Sequence, residues 1–378
     1  MNNKTKSLVL SGAAVALATP MSSALALDDV VGFGAWMNYE YNDETDETAG
    51  NIDLESFNIY ANHEHNDWFF DAEVRFGGGS FQNFSGRTVN DTTQSWGIKE
   101  LAIGRHYGDD WTMTVGKTSI PFAWSRYNFW PGARQASGFD DSDGTGLRFD
   151  WDPGTELDGS LMFVKNQNMG SDATQQDDGT FGFWEGGEQG GNNQYFRGNT
   201  LIGDVGFTAL ETRWGFSAQA GQLLGTGLDD GDGVATDEDE TFWAVSPYFE
   251  SQLGSFDVSG KIVHYDMDET IGDNEFGTPG EGQVLALSAG VPQGDWYHYT
   301  DLTMHLPDDD SSLRQVDDAD ADNTIDAVLG SRYNYGPGWI YLEYYATNVT
   351  SEDNPTGTGY VYQDDVNHVV NITMDYYF

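Results

Sequence analysis

Apolar and polar residues alternate with period two along most of the chain beyond residue 30, and each alternating run ends in Gly, Asn, Asp or Pro. Period two puts successive side chains on opposite faces of a strand, so the pattern predicts strands throughout. Phe70-Asp71-Ala72-Glu73-Val74-Arg75-Phe76 shows it plainly, with apolar residues at even positions and charged ones at odd. Such runs fall at Val31–Tyr41, Ile52–His63, Trp68–Gly77, Trp96–His106, Trp111–Lys117, Gly144–Trp151, Leu157–Asn166 and Val205–Thr212. They continue at Gly215–Leu224, Thr241–Leu253, Phe256–Asp266, Gln283–Val291, Trp296–Leu306, Thr324–Tyr333, Trp339–Asn348 and Asn367–Phe378. That makes about sixteen strands, an even number. Tyr195 is an alternative start for the run at Val205.

The connections alternate between short and long. Glu64-His65-Asn66-Asp67, Tyr107-Gly108-Asp109-Asp110, Asp152-Pro153-Gly154-Thr155, Gly254-Ser255, Pro292-Gln293-Gly294 and Gly336-Pro337-Gly338 are tight and rich in turn formers. Gly225–Glu240 and Pro307–Asn323 run to about sixteen residues each. A sandwich or propeller would also have many short strands, but no repeat of blade length is visible. Aromatic residues crowd the strand ends, at Trp36, Tyr39, Tyr41, Trp68, Trp96, Trp111, Trp151, Trp243, Tyr299, Trp339, Tyr376 and Phe378. That placement suits the two interfacial girdles of a transmembrane barrel.

The two ends of the chain agree with this. The last run places Phe378, Tyr376, Met374, Ile372 and Val370 on one face, and Tyr377, Asp375, Thr373 and Asn371 on the other. Chain ends usually fray in water, whereas a closing barrel strand must present one face to lipid. In this terminal aromatic strand the chain resembles bacterial outer-membrane proteins. At the other end, a basic Asn3-Lys4-Thr5-Lys6, an apolar Ser7 to Ala18 and the A-x-A pattern of Ala24-Leu25-Ala26 read as a secretory signal over residues 1–26. Its apolar core is too short for a transmembrane anchor. Residues 27–378 are then a single outer-membrane barrel domain.

Composition narrows the function. There is no cysteine, hence no disulfide frame, thiolate nucleophile or thiolate metal site. Aromatics make up 14% of the residues, yet mean hydropathy is −0.52. A barrel reconciles the two, because half of each strand can be polar. The formal charge of −46 becomes −48 when Lys4 and Lys6 leave with the signal, and such a charge argues against nucleic acid as a partner.

Parity assigns the faces. Phe70, Ala72, Val74 and Phe76 face lipid, while Asp71, Glu73 and Arg75 face the lumen. The same alternation turns Glu40, Arg148, Asp150, Lys261, Asp326, Arg332, Glu343 and Asp375 inward, with Arg332 expected to pair with Asp326. An Arg or Lys at the lipid-facing midplane would cost about 2–4 kcal/mol, so the alternation is physically enforced. Lys99 and Lys117 share parity with Leu101 and Val115 and are expected to snorkel at the rims.

One long loop differs from the rest. With short turns on the periplasmic rim and long loops outside, the third long loop is Thr118–Asp143. It carries Phe122, Trp124, Arg126, Tyr127, Arg134, Asp140, Asp141 and Asp143, and its apolar surface must pack against something. In position and composition it resembles the loop that folds into the lumen of sixteen-stranded Gram-negative porins and narrows it. That resemblance, which covers the whole barrel domain, implies a homotrimer in outer-membrane lipid and lipopolysaccharide, with those loop residues lining a constriction. Gly116-Lys117-Thr118-Ser119-Ile120-Pro121-Phe122 is loosely similar to a segment of phosphate-selective-type porins, and the Pro-Glu-Phe-Gly type sequence of many general porins is absent. An external aromatic lid or a trimer-contact loop is the alternative for this segment.

The other long loops are acidic, with Arg87 and Arg314 as their bases; Asp43-Glu44-Thr45-Asp46-Glu47 and Asp237-Glu238-Asp239-Glu240 are typical runs. A negative vestibule concentrates cations. Adaptation to high salt explains the same acid, since screening at 1 M leaves a Debye length of ~3 Å. Asp318-x-Asp320-x-Asp322-Asn323 begins like a calcium loop, but Asn stands at its sixth position and Leu329 at its twelfth. No cofactor and no defined metal site is expected, and loose divalent binding by the acidic loops stays open. None of the histidines lies in a recognisable catalytic motif, His63-Glu64-His65 reads as a solvated turn, and no enzyme activity is expected. The expected function is passive diffusion of small hydrophilic solutes and ions, with a preference for cations. The alternatives are a channel selective for a sugar, phosphate or carboxylate, and an outer-membrane adhesin or enzyme.

Overall fold

The computed structural model describes residues 31–42, 50–77, 96–123, 139, 143–154, 156–166, 195–225, 240–267, 281–307, 324–347 and 367–378. They form sixteen strands: β1 Val31–Asn42, β2 Asn51–His65, β3 Trp68–Gly77, β4 Trp96–Tyr107, β5 Trp111–Ser119, β6 Asp143–Trp151, β7 Leu157–Asn166 and β8 Tyr195–Ala209. Next come β9 Thr212–Gly225, β10 Glu240–Leu253, β11 Phe256–Met267, β12 Glu281–Gln293, β13 Trp296–Pro307, β14 Thr324–Asn334, β15 Trp339–Thr347 and β16 Asn367–Tyr377. Each strand pairs antiparallel with its sequence neighbours, and β1 pairs with β16 to close the barrel. At the seam Gly34 faces Tyr377 and Met37 faces Met374, and Phe33 and Phe378 exchange backbone hydrogen bonds of 2.8 and 2.9 Å. A closed barrel has no edge strand, so every ladder group finds a partner.

Alternation decides which face is which. Along β12, Val284, Ala286 and Ser288 are buried, while Gln283 and Leu287 are exposed. Along β16, Val370, Ile372, Tyr376 and Phe378 are exposed, and Val369, Asn371, Thr373 and Asp375 are buried. The exposed set is apolar around the circumference, including Leu101, Ile103, Val115, Leu161, Leu201 and Leu302. Burying such a face in water is unattainable for a single barrel layer, so the outer surface is built for lipid. The seven short connections each join an even-numbered strand to the next odd one and share one rim; the odd-numbered strands end at the opposite rim.

Three expectations are corrected. β8 starts at Tyr195 and ends at Ala209, and β9 starts at Thr212, so the expected strand Val205–Thr212 ran through a turn. That turn is Leu210-Glu211, with φ of 54° and 63°. Two positive φ values make the tight hairpin that matches strand twist, but the positions usually carry Asn or Gly, and Leu and Glu hide it. β2 likewise continues through His65, leaving only Asn66-Asp67 as its turn.

The third correction concerns the two lysines with awkward parity. Lys99 drops out of register where Glu73 faces Glu100 and Val74 faces Ile98, which is a bulge. On β5, Gly116 has φ of 134°, and Lys117 beyond it is fully buried. A Cβ at Gly116 would stand 2.1 Å from Leu101 O, so only glycine fits. These two irregularities turn both lysines away from lipid: Lys99 Nζ pairs with Asp143 at 2.5 Å, and Lys117 Nζ donates to Ile98 O at 2.6 Å.

Candidate functional site

The inner face of the barrel is the candidate site. Among the described residues, seven acidic and four basic side chains are buried, and all belong to inward positions: Glu73, Asp143, Glu250, Asp301, Asp326, Glu343 and Asp375 against Arg75, Lys117, Arg197 and Lys261. Buried charge is costly unless paired or hydrogen-bonded, and these groups are well supplied with partners.

On β3, Arg75 Nε donates to Glu73 Oε1 at 2.7 Å, and its guanidinium lies 4.6 Å from the Trp36 ring centroid. Asp71, next inward on the same strand, accepts from Asn62 Nδ2 at 2.7 Å. Arg148 and Asp150 are joined on β6 by an Nε to Oδ1 bond of 2.8 Å, and Ser160 Oγ adds 2.6 Å to the same oxygen. Arg148 Nη1 also donates to Ser119 O and Oγ, both at 2.9 Å, tying β6 to the end of β5. Glu343 is buried beneath the hydroxyls of Tyr299 and Tyr345, the latter at 2.7 Å. Asp375 accepts from Trp339 N at 2.5 Å and from Tyr377 Oη at 3.4 Å. Glu40 sits exposed near the end of β1.

Arg332 and Asp326 are not a pair. They lie six residues apart on β14, about 20 Å at the rise of a strand. The Arg332 guanidinium instead rests over the rings of Tyr297, at 5.4 Å, and Trp339, at 5.9 Å. Same-face parity identifies residues that share a wall without saying that they touch.

Near the rim of short turns, β7 to β10 hold a cluster that sequence reading missed. Arg213 Nη2 reaches Asp158 Oδ1 at 2.5 Å and Asp204 Oδ1 at 3.4 Å, and its Nη1 reaches Glu250 Oε2 at 3.3 Å. Tyr248 accepts from Arg213 Nη1 and donates to Asp204 Oδ2 at 2.9 Å. Placing the turn at residues 213–214 rather than 210–211 took Arg213 out of the strand; the alternation Arg213, Gly215, Ser217, Gln219 against Trp214 and Phe216 was the available signal. Buried Arg197, whose Nε donates to Gln219 Oε1 at 2.7 Å, escaped for a similar reason, since the register of β8 slips between Gly198 and Leu201.

The third long connection is described at Ile120–Ala123 and at Phe139. Ile120, Phe122 and Phe139 are buried in one apolar cluster with Met162, Val164, Ile202, Phe242, Ala244, Val263, Tyr265 and Val284. Those partners are inward residues of β7, β8, β10, β11 and β12. Phe139 stacks on Tyr265 with ring centroids 5.3 Å apart, and Lys261 Nζ donates to Phe139 O at 2.7 Å. Of the expected constriction residues, Phe122 lies in this cluster and Asp143 is the first residue of β6, paired with Lys99; Trp124, Arg126, Tyr127, Arg134, Asp140 and Asp141 lie outside the described residues. The described residues contain no group of three or more His, Asp or Glu that could hold a metal ion.

A closed, sixteen-stranded antiparallel barrel with a lipid-type exterior and a charged interior defines the class: this is the fold of the Gram-negative outer-membrane porins. Among solved structures, the chain is similar to the outer membrane channel DcaP of Acinetobacter baumannii, with 12% identity, a TM-score of 0.59, and 92% of this chain and 96% of that one covered. It is similar also to OmpF of Salmonella typhi, solved in complex with daunomycin, at 9% identity and a TM-score of 0.61 over 92% and 97% of the two chains. The anion-selective porin of Comamonas acidovorans matches at 12% identity and a TM-score of 0.54, over 92% and 98%. OmpT of Vibrio cholerae, solved in a trimer form, matches at 11% identity and a TM-score of 0.54, over 92% and 98%. No family model and no curated protein matches the sequence.

Proposed function

We propose that this protein is an outer-membrane porin, a water-filled channel for passive diffusion of small hydrophilic solutes and ions with a preference for cations. One observation carries the reading: a closed barrel of sixteen strands, a size that leaves an aqueous passage, whose described inner wall holds seven buried acids against four bases. The excess acid attracts cations, and the acidic long loops add to it at the mouth. The aromatic third loop narrows the passage, which the packing of Ile120, Phe122 and Phe139 against the inner wall supports. By likeness to the trimeric neighbours the channel works as a homotrimer in lipid and lipopolysaccharide.

Planar-bilayer recording tests this. Stepwise current is expected, with a reversal potential in a salt gradient of the sign that marks cations. Folded protein that gives no current would sink the channel reading, and anion preference would sink the selectivity.

A further inference from the structure

Arg332 is an inner-wall arginine without an acid partner. Arg75, Arg148 and Arg213 each meet a carboxylate at 2.5 to 2.7 Å, whereas Arg332 forms no ion pair among the described residues. It lies near the end of β14 at the rim of short turns, directly opposite Tyr297 of β13 and Tyr341 of β15. Its guanidinium rests over the Tyr297 and Trp339 rings, and one of its N–H groups goes to the Tyr341 hydroxyl. Arg332 is half-buried, so the rest of its donor edge opens on the lumen.

The Tyr297 ring leads to an acid in the same condition. It lies across β12, where a Cβ at Gly290 would stand 2.1 Å from its Oη, and that hydroxyl donates to Asp257 Oδ2 of β11 at 3.1 Å. Asp257 is half-buried and forms no ion pair among the described residues. A base and an acid, each partly open and each without a counter-charge, stand on either side of one aromatic ring.

We propose that Arg332 and Asp257 form a subsite for a small zwitterion, a solute such as an amino acid that carries both a carboxylate and an ammonium group. The carboxylate takes the free edge of Arg332, which offers it paired, parallel hydrogen bonds. The ammonium takes Asp257, and the neighbouring Tyr297 face adds a cation–π attraction. Neither charge alone satisfies the pair: a plain anion meets the acid excess of the wall, and a plain cation meets Arg332. The gap across one ring suits a small solute, because a hydrogen bond at each end takes up part of it. The site names a solute class for the channel proposed above, and rests on that reading for the solute's route but not for its binding.

Fluorine NMR of the folded protein in micelles, with three para-fluorophenyl probes, tests this. Para-fluorophenylalanine carries both charges, its amide only the ammonium, and para-fluorophenylpropanoate only the carboxylate. The parent protein is expected to bind the first about tenfold tighter than either of the others, the factor a hydrogen bond to a charged group is worth. Equal affinity for all three overturns the site. Arg332→Gln is expected to bring the zwitterion down to the affinity of the amide without changing the amide's own, and Asp257→Asn to bring it down to that of the propanoate. Zwitterion binding that survives either change overturns the role of that residue. Should a variant not fold, the three probes on the parent protein decide alone. Protein that discriminates the probes yet gives no current would sink the channel and leave the site standing; conducting protein that treats the probes alike would do the reverse.

Discussion

Single residues decide where this barrel departs from simple alternation. Lys99 and Lys117 have lipid-facing parity in the sequence, and what rescues them is backbone geometry: a bulge at Lys99 and a φ of 134° at Gly116. Neither leaves a mark in a count of every second residue, though a glycine just before a misplaced lysine is a hint. Gly116→Ala should then be severe, since the new methyl meets Leu101 O and the backbone must leave the left-handed half of conformational space. A loss of about 2 kcal/mol or more is expected, read as a lower urea midpoint of the folded barrel in lipid. Tyr335, in the short turn after β14, offers a pH test. Burial, and then the charge of Asp375, raise its hydroxyl above the ordinary 10.0. Because the folded state favours the neutral phenol that donates to Asp375 O, its contribution is complete below pH 10 and is lost as pH climbs through the raised value. Tyr335→Phe should remove that alkaline step from an unfolding titration.

At the scale of elements, strand existence was legible and some boundaries were not. β3 and β7 match the sequence reading at both ends because Gly, Asn and Pro bracket them, around clean alternation in β3 and around an apolar run, Leu161 to Val164, in β7. β8 and β9 do not, because Leu210-Glu211 adopts a geometry its side chains do not advertise. Replacing Leu210-Glu211 by Asn-Gly should therefore stabilise the hairpin, by about 1 kcal/mol, seen as a higher denaturant midpoint without change in conductance. β16 tests the assignment of faces. Ile372 lies midway along it and points outward. Ile372→Arg should cost about 2–4 kcal/mol of folding stability in bilayers, against a small effect for Ile372→Leu; equal stability of the two would mean that this face does not meet lipid.

At the scale of the whole molecule, the architecture could be read from period, turn chemistry and strand count together, since a lipid exterior leaves few other solutions. The inner wall was readable only as a set of faces. Which groups meet depends on strand stagger, and so Arg332 was matched with Asp326 while Arg213, among three carboxylates, went unnoticed. Charge acts over a longer range and is less sensitive to such errors. If the acid of wall and loops governs permeation, cation selectivity should shrink as the bath is raised from 0.1 to 1 M salt, the Debye length falling from ~10 to ~3 Å. Selectivity that holds constant across that range would place the discrimination in steric fit or in short-range binding.

The apolar cluster formed by Ile120, Phe122 and Phe139 with β7, β8, β10, β11 and β12 gives the interior two unlike sides. Apolar side chains crowd the part of β7 to β12 farther from the short turns, with the Arg213 cluster nearer those turns, while the carboxylates Glu73, Asp301, Asp326, Glu343 and Asp375 line β13 to β3. A hydrated ion loses solvation near the first and gains attraction near the second. If the barrel conducts as proposed, an ion should therefore run eccentrically, closer to β13 to β3 than to the apolar cluster, through a bore narrower than the barrel's geometric diameter.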